Sequence, residues 1–387
     1  MDQRVYMFTF IAFIVGMSEL IVSGILDLIA AGLNVRISTA GLLITVFAVF
    51  YGISAPILLV LCRAVERKTL ILIALVLFLF GNVLAVFSFS FPMLLAARII
   101  AAASGSVATV LSINLASRIV DPAHRGRAIG IVVMGISGSL VLGLPIGVFL
   151  GNYINWRAPF VLIAIFSIVL IVFTYKKFGN IEPSQVATLH EQVRTLKNAR
   201  VLCSHLTTFF FLAGHLTLNG YLTPYVKSVM GYDGIAVSFM YLTFGAAAVF
   251  GSWLSGMSAD RFGVKRTLFF NIIVLTLCLF FIPFTKGIDV LFWLVLIVWG
   301  VVSWGITPPI QSHLFTIAKN TADVQQSLNN AALHLGIAFG TLFGGFVIDI
   351  RSLEALPHAG IMLIFIAFGI ATVATRDLKS KISMAKS

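Results

Sequence analysis

Twelve apolar runs, each long enough to cross a bilayer, dominate this sequence and leave it few other folds. A span needs about 20 mostly apolar residues at 1.5 Å rise each. In hydrocarbon, every backbone N–H and C=O must also be satisfied inside its own helix. Such runs lie at roughly 5–32, 38–62, 69–89, 91–119, 126–151 and 156–175, and again at 200–226, 234–258, 266–286, 288–315, 323–349 and 356–375. Of the 387 residues, 59% are hydrophobic and only 10% charged, too few charges to wet the surface of a soluble domain. The pattern predicts an all-α membrane protein of 12 transmembrane helices. The first run is too long for a signal-peptide core and reads as a retained span.

The polar stretch 176–200 divides the spans six and six. It predicts an N-terminal six-helix bundle over 1–175, a cytoplasmic linker over 176–200, and a C-terminal bundle with a short cytoplasmic tail over 201–387. The net charge of +12 sits in short segments between the runs, so it serves orientation rather than nucleic-acid binding. Of the 26 Lys and Arg, only Arg36, Arg157, Lys227, Lys286 and Arg351 fall on one side of the predicted bilayer. Arg98 falls within a span, and the rest lie on the side of both termini. By the positive-inside rule both termini are cytoplasmic. An internal repeat supports the division: Cys62–Lys68 and Asp260–Arg266 lie 198 residues apart, with their basic positions in register. The same offset carries Gly138 onto Gly336 and Gly147 onto Gly345. Two pseudo-symmetric halves with a site between them is an architecture of secondary transporters.

Of the 14 acids, only Glu19 and Asp27 fall within predicted spans away from their end residues. With Ser23 they form an i, i+4, i+8 stripe. An ionisable group in hydrocarbon is expensive and therefore functional by default, and burial raises a carboxyl pKa. Glu19 is thus expected to exchange protons. Counting 1.5 Å per residue, Asp27 lies about 6 Å deep, Arg98 about 12 Å and Glu19 about 18 Å. Arg98 is then within reach of either acid. No metal-ligand spacing occurs among the three cysteines and seven histidines, and no nucleophile–base set is recognisable. A cofactor-free carrier is expected, not an enzyme or a receptor.

The second half carries an unusual density of amides and aromatics: His215, Asn219 and Tyr221 in span 7, Trp299, Ser303 and Trp304 in span 10, Asn330 and His334 in span 11. Paired donors and acceptors beside stacking faces suit a planar, polar, largely uncharged ligand such as a nucleobase. Glycines at four-residue spacing, Gly143, Gly147 and Gly151 in span 5 and Gly336, Gly340 and Gly344 in span 11, are expected to let helices pack closely across the repeat interface.

Asp260-Arg261-Phe262-Gly263-Val264-Lys265-Arg266 resembles the loop signature of the major facilitator superfamily. Its counterpart, with Arg63, Arg67 and Lys68, departs from it at Cys62 and Val65. Arg98 with Gly105, Gly135 to Gly147 with Leu144-Pro145, and Asn155–Phe160 resemble further motifs of the twelve-span drug:proton antiporter branch. The likeness implies the major facilitator fold, gating loops at Arg63, Arg67, Lys68, Asp260, Arg261, Lys265 and Arg266, and a proton-coupling acid at Glu19. Asp27 stands where that branch has proline and inherits no role. Within the branch, Glu19-Leu20-Ile21-Val22, Ala213-Gly214-His215, Trp299-Gly300 and 323–336 are most similar to bacterial purine base and nucleoside efflux pumps. The expectation is a monomeric, proton-coupled purine exporter of the bacterial cytoplasmic membrane, with a multidrug/proton antiporter as the alternative. Glu19, Arg98 and Asp27 are its candidate proton-coupling residues. His215, Asn219, Tyr221, Trp299, Ser303, Asn330 and His334 are its candidate substrate residues.

Overall fold

The computed structural model describes residues 2–121, 124–179, 192, 194–318 and 321–376. Most of the predicted linker, Lys319 and the basic tail beyond 376 lie outside the described residues. Among the described residues, twelve helices are long and apolar enough to cross a membrane. They are α1 (Gln3–Gly24), α2 (Ile37–Leu61), α3 (Arg67–Val86), α4 (Phe91–Arg118), α5 (Arg125–Tyr153), α6 (Ala158–Lys177), α7 (Ala199–Asn219), α8 (Ile235–Phe262), α9 (Val264–Thr285), α10 (Asp289–Ile317), α11 (Ala322–Ile350) and α12 (Leu353–Ala374). They form two pseudo-symmetric six-helix halves. The first and last described residues, Asp2 and Arg376, lie at what we call the near end of the bundle. The turns after α1, α3, α5, α7, α9 and α11 lie at the far end.

Two runs that read as continuous are broken. Span 1 stops at Ile25 (φ −122°, ψ 23°) and restarts as the short helix Leu26–Gly32. Span 7 stops at Gly220, and Tyr221 (φ −116°, ψ 21°) leads into a short turn over Leu222–Tyr225. The two breaks have nearly the same backbone angles and occupy matching places in the two halves. Asp27 therefore lies beyond the break, and the predicted stripe from Glu19 to Asp27 is interrupted. A third break bends α10 at 304–306. Pro309 has no N–H to give the carbonyl four residues earlier, and that carbonyl, Gly305 O, instead accepts from Ser255 Oγ at 2.5 Å and Asn271 Nδ2 at 2.8 Å.

The glycine stripes pack inside each half, not across the interface as expected. A Cβ on Gly135 would lie 2.1 Å from Thr9 O, and one on Gly147 would lie 1.8 Å from Ile21 Cδ1, so α5 is pressed onto α1. In the second half a Cβ on Gly336 or Gly340 would lie 2.4 Å or 2.2 Å from the carbonyls of Phe209 and Ala213, pressing α11 onto α7. Such backbone contact leaves no room for sliding and makes each half stiff. The halves meet with α2 against α11 and α5 against α8, and other glycines allow close approach there: a Cβ on Gly245 would lie 2.5 Å from Leu140 O. Thr45 and Thr341 hydroxyls bond at 2.9 Å, and Ser38 Oγ donates to Asp349 at 2.7 Å.

Candidate functional site

Glu19 and His334 reach each other across the two halves. Glu19 comes from the C-terminal third of α1 and His334 from α11, with Oε1 and Nε2 3.2 Å apart and side-chain exposures of 19% and 6%. The other ring nitrogen, Nδ1, lies 2.8 Å from Asn330 O. A carbonyl only accepts, so Nδ1 carries a proton. Nε2 then meets a carboxyl oxygen, and the two bond only with a proton between them, held as a neutral carboxyl or as an imidazolium. The ring is fixed by Tyr51, stacked at 4.5 Å. The contact is thus a proton-holding joint between the halves.

Arg98 does not pair with either acid, contrary to the expectation from depth. Its Nη1 donates to Ser18 O at 2.7 Å, its Nη2 lies 3.5 Å from Glu19 O, and its guanidinium sits 3.9 Å over the Phe47 ring. Side chain and helix backbone compete for the same donors, and the carbonyls of α1 face α4 while the Glu19 carboxyl turns to α11. Arg98, 1% exposed, thereby pins the backbone that carries Glu19. Asp27 is engaged elsewhere, with Lys227 Nζ 2.8 Å from its Oδ2. Lys227 also reaches Asn152 Oδ1 at 3.1 Å and Asp233 at 3.2 Å. Burial pulls the Lys227 ammonium down, but Asp27 and Asp233 outweigh it and hold the group above the ordinary lysine value. Asp233 is held below its usual range by the Gly234 N–H and by Lys227.

A cavity opens beside Glu19 between the halves. Its polar and aromatic wall is Glu19, Ser23, Asn219, Tyr241, Phe244 and Trp304, and Leu20, Ile44, Leu140, Leu144, Leu216 and Ile337 complete it. The α10 bend places Trp304 there. Of the expected substrate residues only Asn219 walls this cavity, and its buried Nδ2 has no partner among the described residues. His215 and Trp299 find each other behind the wall: Trp299 Nε1 donates to His215 Nδ1 at 3.0 Å, and the His215 ring lies parallel to Phe244. Tyr221 is committed to Thr341 O at 2.8 Å and fills the space over Gly41 and Gly344. The Ser303 hydroxyl returns to Gly300 O in its own helix. Asn330 is exposed and serves through its carbonyl. Sequence reasoning missed Tyr241, Phe244 and Tyr51, whose only local signal was an aromatic inside an apolar run.

The two loops of the repeat differ in backbone. Gly263 turns with φ 89°, which only glycine adopts freely; Val65 stands at its counterpart without a positive φ. Asp260, Arg261, Lys265 and Arg266 are exposed, as is Arg63. Arg67 is buried at the start of α3, and Lys68 lies over the Tyr175 ring at 5.5 Å. Glu66 caps α3 by accepting from the Thr69 N–H at 3.2 Å.

The family model described as Major Facilitator Superfamily matches residues 8–341. The uncharacterized MFS-type transporter YbcL of Bacillus subtilis (strain 168) is 34% identical over 366 residues, covering 94% of this chain and 93% of its own. A probable sugar efflux transporter of Helicobacter pylori (strain J99) is 26% identical over 358 residues, covering 92% and 91%. Among solved structures, a bacterial homolog to the human lysosomal transporter Spinster, inward-facing and unoccupied, superposes with a TM-score of 0.78 at 16% identity over 96% of each chain.

Proposed function

Because the chain belongs to the major facilitator superfamily and is a multi-pass membrane transporter, we propose that it exports purine bases or nucleosides in exchange for protons by alternating access. The observation that carries this reading is the Glu19–His334 contact, a proton-holding joint across the two halves whose Glu19 walls the cavity between them. When the halves part, His334 leaves Glu19 and the carboxylate faces the cavity. A cargo N–H then binds the carboxylate and is released when a proton neutralises it. Competition of proton and cargo for one carboxyl gives exchange, not cotransport. Asn219 Nδ2 offers a donor to a ring nitrogen or carbonyl, and Tyr241, Phe244 and Trp304 offer flat faces. Arg98 acts by holding the α1 backbone. We assign no proton role to Asp27, nor cargo contact to His215, Trp299, Ser303, Tyr221 or Asn330. We place the monomer in a bacterial cytoplasmic membrane with both termini cytoplasmic, the bundles 1–175 and 201–387 rocking about the 176–200 linker and the basic loops at Arg63–Lys68 and Asp260–Arg266 meeting when the near end closes.

A second reading, sugar export, is favoured by the likeness to the Helicobacter pylori protein. Against it, half the cavity wall is aliphatic, and a sugar hydroxyl buried there without a partner costs about 1–3 kcal/mol. Uptake of labelled hypoxanthine, adenine and guanosine into inside-out vesicles with an acid interior tests the reading. Accumulation that collapses with an uncoupler supports it. Movement of a labelled sugar or a fluorescent cationic drug with none of the purines would replace it.

A further inference from the structure

The bend that puts Trp304 on the cavity wall is held from outside its own helix. Pro308 and Pro309 have no N–H, so the carbonyls of Trp304 and Gly305 lose the donors four residues on. Trp304 O accepts instead from the Thr307 N–H at 3.4 Å. Gly305 O is met by two side chains, Ser255 Oγ of α8 and Asn271 Nδ2 of α9, and Asn271 Nδ2 also donates to Ser255 Oγ at 2.9 Å. The hydroxyl gives its one proton to the carbonyl, and the amide gives one hydrogen to each oxygen. The three groups close a ring that uses all their donors. Ser255 and Asn271 are 5% and 4% exposed. A Cβ on Gly305 would lie 3.1 Å from both the amide nitrogen and oxygen of Asn271, so the glycine gives the amide room to reach the carbonyl. On the other side of Trp304, Gly300 presses α10 onto α8, where a Cβ would lie 2.8 Å from Ala247 Cβ. Trp304 is thus held between two anchors.

The first half has no such device. At the 198-residue offset of the repeat, Ile57, Ile73 and Val107 stand in the places of Ser255, Asn271 and Gly305, and α4 runs unbroken from Phe91 to Arg118. The polar pair goes with the bend, not with the fold that both halves share. We infer that Ser255 and Asn271 are positioning residues for cargo selection: by holding Gly305 O they fix the α10 bend and keep the Trp304 ring on the cavity wall, as a face for a flat-ringed cargo. Neither walls the cavity, so both act through Trp304. Without them, Pro309 bars Gly305 O from a helical bond and the buried acceptor is stranded, so the bend relaxes and the indole leaves its place. The assignment rests on the reading of this cavity as the purine site.

The test is fluorine NMR of the full-length protein labelled with 5-fluorotryptophan in lipid nanodiscs. Its five tryptophans give five signals, and Trp304→Phe identifies that of Trp304. Asn271→Leu and Ser255→Val are each expected to displace the Trp304 signal and leave that of Trp299, which lies before the bend and bonds to His215, in place. Ser255→Thr, which keeps the hydroxyl, is expected to retain the parent signal. In proteoliposomes the two displacing variants should raise the KM for hypoxanthine about fivefold, the worth of one stacked face, with kcat nearly unchanged. An unmoved Trp304 signal in Asn271→Leu, or one as displaced in Ser255→Thr as in Ser255→Val, would overturn the assignment. So would a displaced signal with the parent KM. Should Asn271→Leu not fold, Ser255→Val against Ser255→Thr decides. If the parent moves a sugar or a cationic drug and no hypoxanthine, the purine reading falls, and the same KM comparison with that cargo decides whether Ser255 and Asn271 select through Trp304.

Discussion

Gly251, in the middle of α8, gives the sharpest test of how tightly the second half is built. A Cβ there would lie 1.8 Å from Val301 O and 2.4 Å from Val301 C, on the backbone of α10. Carbon–oxygen contacts settle at about 3.3 Å or more, so Gly251→Ala must drive α8 and α10 apart by roughly 1.5 Å. A gap of that size forfeits a large part of the dispersion energy along the contact, and overpacking of this kind costs about 3 kcal/mol or more. Gly256, five residues along the same helix, is the control: the nearest atom to its Cβ would be Pro308 Cβ at 3.8 Å. Gly256→Ala should gain helix propensity, up to about 1 kcal/mol. In thermal unfolding in detergent, followed by size-exclusion chromatography, Gly251→Ala is expected to lower the apparent midpoint by roughly 5 °C or more and Gly256→Ala to leave or raise it. Equal midpoints for the two variants would refute the α8–α10 backbone contact.

Replacing Arg98 by Ala removes a charged bond to Ser18 O and a cation–π contact, so it should cost about 3 kcal/mol or more in the same melt, and Arg98→Lys should recover part of it. Trp299→Phe strands His215 Nδ1 and should cost about 2 kcal/mol, with cargo affinity unchanged because neither residue walls the cavity. The Lys227 contribution, from a raised pKa, is present below the unfolded value and lost as pH climbs through the folded one. That of Asp233, from a lowered pKa, is present above its unfolded value and lost as pH falls through the folded one. Both transitions lie outside about pH 5–9, so the stability that these two groups contribute should be constant across that window, and Lys227→Gln should lower the thermal midpoint by the same amount at either end of it.

The twelve spans were legible because apolar length alone decides what crosses a bilayer, and boundaries fell within a few residues except where spans 1 and 7 break. The break at Ile25 was not legible: Gly24 is a weak local signal, and the groups that make the break affordable, Thr223 and Tyr241 on the Gly24 and Ser23 carbonyls, come from the other half. The rarity of charge in hydrocarbon drew attention to Glu19 and Arg98. It did not reveal their partners, because a buried guanidinium can donate to backbone carbonyls, here those of Ser18 and Glu19, in place of a carboxylate. Likewise His215 and Trp299 looked like cargo ligands, yet 84 residues apart in sequence they bond to each other behind the cavity wall. Asn219 differs in standing on the wall itself, with its amide nitrogen unclaimed among the described residues.

The central claim is that Glu19 carries the proton that drives export, and comparison of two transport modes of Glu19→Gln tests it most directly. In proteoliposomes, exchange of labelled for unlabelled hypoxanthine at equal pH needs no net proton movement, whereas accumulation against a gradient does. The account predicts that Glu19→Gln retains exchange, with the amide still able to accept the cargo N–H, and loses accumulation under an imposed pH gradient. A variant that still accumulates hypoxanthine when the gradient is applied would contradict it.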